Sequence, residues 1–407
     1  MMRSAAGTPI GVLRSPATIR ERSRNILEAA AAGRSKHFRL DQSRLEVDAA
    51  RVEAVTRRRY GDLRIPYHSR WRHFEAGGVD RKADLDRALA GRDPTACARA
   101  RVDLTVVSVL LDAGAGAAWG YVERETGVRY TRSEGLGVAS FRAFLAGAFS
   151  ARRDDPLRAD AAALSRIDAP SLAKIFNVDP ANPLVGLEGR AALLRRLGAA
   201  LIAREEVFDD LARPGGLFAT VIPDDEDTVA AGELLHALQD GLSSIWLSET
   251  ALDGVSLGDV WRHPHAGGRG TTAGWVPFHK LSQWLTYSLF EPFEWAGVTI
   301  VDRDALTALP EYRNGGLLLD TGVIALLDAQ PRDTTYEVGS ELIVEWRALT
   351  VALIDELAPL VRARLQSPDL PLACLLEGGT WAAGRELAQE LRGGAPPLPI
   401  RSDGTVF

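Results

Sequence analysis

The fold is decided by three segments between residues 275 and 347, which read Trp275-Val-Pro-Phe-His-Lys-Leu-Ser-Gln-Trp284, Leu306-Thr-Ala-Leu-Pro-Glu-Tyr-Arg-Asn-Gly-Gly316 and Ser340-Glu-Leu-Ile-Val-Glu-Trp-Arg347. They place basic, acidic and aromatic side chains among residues that otherwise have the composition of a protein core. Apolar residues recur at helical spacing, which predicts helices. We therefore expect this stretch to form the helical centre of the molecule and to carry its chemistry.

Each segment offers polar groups at defined positions. In the first, Lys280 and Gln283 lie beside a predicted helical stripe and line the edge of a cavity; the stripe consists of Phe278, Leu281, Leu285 and Leu289. In the second, Glu311 lies in a predicted turn or helix start. In the third, Glu341 and Glu345 are spaced i,i+4 and share one helical face. Simpler interpretations stay open, because Lys280 could be a solvated residue and the carboxylates could be caps or surface charges.

The composition limits the classes of function. Hydrophobic residues make up 46% and charged residues 25% of 407 residues, which is typical of a soluble globular protein. The formal net charge of −6 argues against broad capture of nucleic acid, so any phosphate must be bound by a local cationic cluster. Cys97 and Cys374 are far apart and suit a reducing compartment. No apolar run approaches the ~18 residues of a membrane helix and no continuous signal-peptide core is evident, so we predict a cytoplasmic protein without a membrane partner.

The amino-terminal half contains further candidates. Arg70 and Arg72 stand among aromatic residues and histidines, where they could clamp a phosphate or sugar or could stack as a structural arm. Asp112 ends a buried apolar run, and such a carboxylate is costly unless it is paired or useful; it could also be a capping residue. Trp119 begins a predicted hairpin whose aromatic rings could stack on a planar group. Ser133 is the predicted N-cap of a helix from Glu134 through Phe149.

Motifs along nearly the whole chain resemble those of the uracil-catabolism protein 4 family of bacteria and fungi. That family is linked to a route of uracil degradation through nucleotide-level and ribosylurea-type intermediates, so the resemblance implies a role in this route. The motifs are Ile65-Pro-Tyr-His-Ser-Arg-Trp-Arg-His-Phe74, Leu110-Leu-Asp-Ala-Gly-Ala-Gly116, Arg132-Ser-Glu-Gly-Leu136, Gly186-Leu-Glu-Gly-Arg190, Val276-Pro-Phe-His-Lys-Leu-Ser-Gln-Trp-Leu-Thr-Tyr-Ser288, Leu309-Pro-Glu-Tyr-Arg-Asn-Gly-Gly316 and Ser402-Asp-Gly-Thr-Val-Phe407.

A second resemblance implies a mechanism. Segments of the chain are similar, in the same order, to the queuosine salvage enzymes, which are N-glycosidases acting on a nucleoside 5′-monophosphate. Glu311 stands where those enzymes have an Asp and Leu281 where they have an Arg; the first change keeps a carboxylate and the second leaves the ligand contacts open. The matching segments are Leu111-Asp112-Ala113 to Trp119, Thr126-Gly127, the helix around Ala139 to Ala148, Phe278-His-Lys-Leu-Ser-Gln283, Pro310-Glu-Tyr-Arg313 and Glu345-Trp-Arg347.

We predict a mainly α-helical chain that forms a single large globular domain over residues 1–407, with a few short strands. A subdivision could fall near residues 150–180, which are polar and interrupted by prolines. The resemblance implies a scaffold like that of the queuosine salvage enzymes and, more remotely, of helical DNA glycosylases. No glycine-rich nucleotide-binding fingerprint follows a predicted strand, which argues against Rossmann and P-loop folds.

The predicted reaction is hydrolysis of a ribosyl N-glycosidic bond in a ribosylurea 5-phosphate or a related uracil nucleotide derivative. Positive charge builds on the sugar as this bond breaks, so a carboxylate must lie near the anomeric carbon. We predict this role for Glu311, with Asp112 and Glu345 orienting the leaving group or water. The residues predicted to bind substrate are Lys280, Arg313, Arg347, Arg70, Arg72, Trp119, Phe278, His279 and Gln283.

Two alternatives stay open. The protein could be a non-catalytic binding or scaffolding partner of the uracil pathway, or a metal-dependent amidohydrolase that uses His263, His265 and His68. No cofactor or metal is predicted, because His263 and His265 lack a matching ligand cluster nearby in the sequence. The predicted partner is a small nucleotide-derived molecule. The sequence leaves open its exact identity and phosphorylation, the stereochemical course, and whether the protein forms a homo-oligomer.

Overall fold

The computed structural model describes residues 7–112, 114–116, 118–223, 226–246, 250–328 and 334–401. The described chain is mainly α-helical, which confirms the predicted fold class, and its strands pair only in two-stranded ladders. Within these residues no helix combines the length and the apolar composition needed to cross a membrane. The motif at residues 402–407 and Ala113 lie outside the described residues.

The helices and strands are short except for a few long helices. In chain order the helices are α1 (Pro9–Arg14), α2 (Pro16–Ala31), α3 (Leu45–Arg59), α4 (Arg70–Phe74), α5 (Arg81–Ala88), α6 (Pro94–Leu110), α7 (Arg132–Leu145), α8 (Ala161–Leu164), α9 (Ala169–Ile175), α10 (Leu187–Ala203), α11 (Glu205–Phe208), α12 (Leu217–Thr220), α13 (Ala231–Gly241), α14 (Lys280–Glu294), α15 (Tyr312–Asp320), α16 (Glu341–Leu365), α17 (Leu372–Leu375) and α18 (Trp381–Arg392). The strands are β1 (Phe38–Leu40), β2 (Gly120–Val122), β3 (Arg129–Thr131), β4 (Thr228–Ala230), β5 (Ala251–Leu252), β6 (Val255–Ser256), β7 (Val260–Arg262), β8 (Trp275–Pro277), β9 (Thr299–Val301), β10 (Ile324–Leu326), β11 (Tyr336–Glu337) and β12 (Ile400–Arg401).

The chain divides into two compact units, each assembled from separate segments. The first unit comprises residues 7–68, Asp259–Gln283 and Arg303–Arg401, and the second comprises Ser69–Gly258 and Trp284–Asp302. Helix α14 contributes residues to both, since the division falls between Gln283 and Trp284. The single domain over residues 1–407 stays a prediction.

The first unit is built around α16. This 25-residue helix is buried along most of its length and packs against α2 and α3. Helix α15 packs against α18 and α16. The closest approach is at Gly384 of α18, where an added Cβ would lie 1.9 Å from the carbonyl oxygen of Arg313. Only glycine permits this approach, and it places the start of α15 directly against α18.

The second unit is built around α6. Its N-cap is Asp93, whose side chain accepts from the Ala96 N–H, with Pro94 at the first helical position. Residues 102–110 of this helix are buried, as the apolar run predicts, and α6 packs against α4, α7 and α10. The predicted hairpin is confirmed, because β2 and β3 pair antiparallel with Tyr121 opposite Tyr130.

Two local predictions are wrong. Phe278 lies before α14 rather than on its apolar stripe, because its N–H pairs with the Asp259 carbonyl (2.9 Å) and His279 has a left-handed φ of 46° that separates β8 from the helix. Ser133 is inside the first turn of α7 rather than at its N-cap, which is Thr131. The helix ends at Leu145, since Gly147 adopts a left-handed φ of 75° and terminates it.

Candidate functional site

A buried ion pair organises the candidate site of the first unit. Arg347 of α16 donates from Nη1 to Oδ1 of Asp259 (2.8 Å) and from Nη2 to Oδ2 (2.7 Å). Asp259 also accepts from the indole N–H of Trp261 (2.7 Å) and from the backbone N–H of Lys280 (3.1 Å). Burial raises the pKa of Asp259, but Arg347 and these bonds outweigh burial and lower the pKa to about 2. Asp259 therefore stays ionised and holds the first residue of α14.

Arg347 also connects the predicted residues to one another. Its guanidinium carbon lies 4.1 Å from the centroid of the Phe278 ring, and its Nε donates to the Pro310 carbonyl (3.4 Å). Phe278 precedes Lys280 by two residues, and Pro310 directly precedes Glu311. The structure thus brings Arg347, Phe278, Lys280 and the Glu311 turn together in the first unit.

Glu311 is the N-cap of α15. Its Oε2 accepts from the Arg313 N–H (2.8 Å) and its Oε1 from the Asn314 N–H (2.6 Å), which confirms the predicted helix start. The side chain is half-buried. Among the described residues, no basic side chain forms an ion pair with Glu311. The carboxylate is therefore oriented by the helix amides, and within the described residues it is not paired with a cationic side chain.

Arg313 lies in a stack of aromatic and basic side chains. Its guanidinium carbon is 5.0 Å from the Tyr312 ring centroid and 4.5 Å from that of Trp381, and Arg385 lies 5.3 Å from the same indole. Arg313 is buried, whereas Arg385 is exposed. Cation–π contacts of this kind fix the orientation of a guanidinium without neutralising its charge.

A histidine–glutamate pair was not identified as a site from the sequence. His68 Nδ1 and Glu377 Oε2 are 2.8 Å apart, and Arg59 Nη2 donates to Glu377 Oε1 (2.9 Å). Burial raises the pKa of Glu377, but the bonds with His68 and Arg59 outweigh burial and lower it. Glu377 lies in a π-helix (Leu376–Thr380), a rare feature that occurs frequently at functional sites. The available signal in the sequence is the Gly378-Gly379 pair directly after Glu377, because paired glycines disfavour a regular α-helix.

Glu345 lies beside a histidine in the core of the first unit. Oε2 of Glu345 is 3.5 Å from Nε2 of His263, and both side chains are buried. Nδ1 of His263 accepts from the His265 N–H (3.2 Å), so Nε2 is the ring nitrogen that carries a proton and faces Glu345. Within the described residues, no group of three or more His, Cys, Asp or Glu side chains is arranged to hold a metal ion.

Two further predicted residues of this unit are held by hydrogen bonds to Thr307 and Leu13. Gln283 donates to the Thr307 hydroxyl (2.7 Å) and accepts from the Thr307 N–H (2.8 Å). His279 donates from Nε2 to the Leu13 carbonyl (2.8 Å), and burial lowers its pKa, so its imidazole is neutral. These contacts orient the start of α14; the predicted substrate-binding roles of both residues stay predictions.

In the second unit, Arg70 and Asp112 meet. Arg70 is fully buried, and its Nη1 lies 3.2 Å from Oδ2 of Asp112 and donates to the Ser133 carbonyl (3.2 Å). Its Nε donates to the Ser108 hydroxyl (2.7 Å). The predicted catalytic carboxylate of Asp112 is thus held beside a fixed guanidinium. Ser133, in the first turn of α7, contributes its backbone carbonyl to the same cluster.

Arg72 and Trp119 lie elsewhere in the second unit. Nη2 of Arg72 is 2.6 Å from Glu291, and Nη1 is 2.9 Å from Glu75. Trp119 is fully buried, and its indole N–H donates to the Phe176 carbonyl (3.0 Å). Neither residue is bonded to the Arg70–Asp112 pair in the described structure. Their predicted roles in substrate binding stay predictions.

The protein is therefore mainly helical, and its candidate polar sites are formed by side chains that lie far apart in the sequence. The family model described as "Protein of unknown function (DUF1688)" matches residues 12–407, and the chain belongs to this family. "Protein urg3" of Schizosaccharomyces pombe is 40% identical over 401 residues, covering 96% of each chain. "Uracil catabolism protein 4" of Lachancea kluyveri is 37% identical over 435 residues, covering 98% of this chain and 99% of the relative. The resemblance to the uracil-catabolism protein 4 family is confirmed.

Proposed function

We propose that this protein takes part in uracil catabolism by hydrolysing a ribosyl N-glycosidic bond, with ribosylurea 5-phosphate or a related nucleotide-derived molecule as substrate. The pathway is supported by the name of the relative from Lachancea kluyveri, which aligns over nearly the full length of both chains. The reaction is supported by the resemblance to the queuosine salvage enzymes. It is also supported by the orientation of the Glu311 carboxylate, which has no basic partner among the described residues.

The observation that carries the proposal is the orientation of Glu311 without a basic partner among the described residues. Cleavage of the bond gives the ribose an oxocarbenium-like positive charge, which a nearby anion stabilises. A carboxylate already paired with an arginine, as Asp259 is with Arg347, has most of its charge compensated. Glu311 is held by two amide N–H groups and has no such basic partner among the described residues.

The contacts of the other predicted residues suit the roles that the proposal gives them. Glu345 and the Nε2–H of His263 form a buried pair that can hold a proton for the attacking water or the leaving nitrogen. The Arg313 guanidinium, stacked on Trp381, offers its N–H groups to a phosphate. Asp112, held beside Arg70 in the second unit, is the third candidate carboxylate.

The decisive assay incubates the protein with ribosylurea 5-phosphate and measures free urea and ribose 5-phosphate. Glu311→Gln keeps an acceptor oxygen for the helix amides but removes the charge, so we expect a fall in turnover of about 10² or more with binding retained. The matched control is Asp168→Asn, which alters the N-cap of α9, where Asp168 accepts from the Ser171 N–H (2.9 Å). The control should turn over normally.

Three results would overturn the proposal: no urea release by the unaltered protein, normal turnover by Glu311→Gln, or an equal loss in Asp168→Asn. Binding of the substrate without release of urea would favour the non-catalytic alternative.

A further inference from the structure

Several buried polar atoms of the second unit have no hydrogen-bond partner among the described residues, and three of them belong to side chains that lie close together. They are Nη2 of Arg70, Oδ1 of Asp112 and Nε1 of Trp284. The Arg70 side chain is 0% exposed, that of Asp112 9%, and Trp284 8%. Buried polar atoms are nearly always paired, because an unmade hydrogen bond is costly. Three in one cluster indicate groups that await a ligand.

The three side chains lie close to one another. Nη1 of Arg70 and Oδ2 of Asp112 are 3.2 Å apart. The guanidinium carbon of Arg70 lies 5.8 Å from the Trp284 ring centroid. The cluster therefore contains two nitrogen donors and one carboxylate acceptor that have no partner among the described residues.

The charges of the cluster are balanced. Asp112 and Glu134 both act electrostatically on Arg70, and Asp112 also acts on Arg190. Two cations thus face two anions. A phosphate dianion would be repelled by the unpaired Asp112 oxygen and would find one nitrogen of Arg70 left to donate. An uncharged ligand with both donor and acceptor atoms satisfies the cluster.

The segment that carries Asp112 is held in place on both sides. Arg190 is fully buried and donates from Nε to the Leu111 carbonyl (3.0 Å) and from Nη2 to the Gly114 carbonyl (3.2 Å). Its pKa is lowered to about 10, because burial lowers it more than Asp112 raises it. The carbonyl groups of Leu111 and Gly114 are therefore held by Arg190, which helps to preorganise the Asp112 carboxylate for a ligand.

We infer that this cluster binds the uncharged edge of a ureido or imide group, in which an N–H lies next to a carbonyl. The ligand N–H donates to Oδ1 of Asp112, and its carbonyl oxygens accept from Nη2 of Arg70 and Nε1 of Trp284. The inference deepens the proposed function, on which it rests, by naming the part of the substrate that is recognised. It assigns Arg70 to a neutral group rather than to the phosphate.

Equilibrium binding to the full chain tests this with two probes. 1-Methyluracil keeps the N3–H between two carbonyls, whereas 1,3-dimethyluracil keeps both carbonyls and has no N–H. We expect 1-methyluracil to bind and 1,3-dimethyluracil to bind at least about tenfold more weakly, because the second methyl group leaves Asp112 unpaired. Methylurea tests the open ureido group, and its binding in place of 1-methyluracil would also support the inference. Inorganic phosphate should not compete.

The inference fails if 1-methyluracil binds and 1,3-dimethyluracil binds as tightly, if phosphate displaces 1-methyluracil, or if neither 1-methyluracil nor methylurea binds. Neither probe contains a ribosyl bond, so binding is measured independently of hydrolysis. Binding of 1-methyluracil without urea release from ribosylurea 5-phosphate would uphold the recognition site and overturn the proposed reaction. Urea release without binding of either probe would do the reverse.

A conservative variant identifies the contribution of the indole. Trp284→Phe removes the N–H and keeps an aromatic ring, so it should weaken 1-methyluracil binding about two- to tenfold, the effect of one neutral hydrogen bond. The matched control is Trp275→Phe in the first unit, which also removes an indole N–H without a described partner. Unchanged binding in Trp284→Phe, or an equal loss in the control, would overturn the assignment of Trp284.

Discussion

Arg347 and Asp259 form two parallel N–H···O bonds of 2.8 and 2.7 Å inside the first unit, and both side chains are buried. The pair connects the start of α14 to the turn that carries Glu311. Asp259 accepts a hydrogen bond from the Lys280 N–H, and Arg347 donates one to the Pro310 carbonyl beside Glu311. Removal of either partner would leave a charge buried without compensation.

We expect Arg347→Met to lower the free energy of unfolding by about 3–5 kcal/mol, since it leaves the Asp259 carboxylate buried and unpaired. Urea denaturation measures the change. The control is Arg401→Met, which breaks an exposed pair with Glu337 (2.9 Å) and should change stability by less than about 1 kcal/mol. A loss in Arg347→Met no larger than in this control would contradict the role given to the pair.

Asp48 should make the protein less stable at neutral pH. It is fully buried on α3, and burial raises its pKa to about 6 despite a hydrogen bond from Thr321 (3.0 Å). Because the folded pKa lies above the reference value of 3.8, its stabilising contribution is complete below that value and is lost as the pH rises through about 6.

Asp48→Asn should therefore raise the free energy of unfolding by about 1–3 kcal/mol at neutral pH, with a benefit that declines as the pH falls below 6 toward 4. Urea denaturation of both proteins across this range gives the difference curve. A benefit that is constant with pH would mean that the carboxyl does not titrate in this window.

Lys280 and Arg313 are predicted to bind the substrate phosphate. Lys280→Ala and Arg313→Ala should each weaken binding of ribosylurea 5-phosphate by about one to two decades and have far less effect on unphosphorylated ribosylurea, because each removes a charge-assisted hydrogen bond. Calorimetric titration of both ligands measures the ratio. Arg385→Ala, on the same Trp381 indole, is the control and should affect neither ligand. Equal losses on both ligands would require withdrawal of the phosphate assignment.

The approach of α18 to Arg313 depends on Gly384. A Cβ there would lie 1.9 Å from the Arg313 carbonyl oxygen, so Gly384→Ala should destabilise the protein by more than about 1 kcal/mol and reduce turnover by displacing α15. Gly232→Ala is the control: it lies in α13 with no atom within 4 Å of an added Cβ and should be neutral or stabilising by up to about 1 kcal/mol. Thermal unfolding and the urea-release assay on both variants test the contrast.

Much of the candidate site could be located from sequence because its parts are local. Glu311 was expected at a helix start, and it caps α15 through amides two and three residues away. Glu341 and Glu345 lie on one helix as their spacing predicts. Phe278 was misplaced because apolar spacing does not register the left-handed conformation of His279, which ends the extended segment before α14. No sequence pattern marks Asp259 as a site residue, and Glu377 is marked only by the glycines that follow it.

The sequence by itself determined the mainly helical class, the hairpin, the family and the carboxylate-bearing segments, because periodicity, capping and long motifs are encoded over a few neighbouring residues. The tertiary structure alone decided which charges meet. Arg347 pairs with a residue 88 positions away and His68 with one 309 positions away. These pairs form because packing brings the groups together and removes them from water, where each buried charge requires a partner.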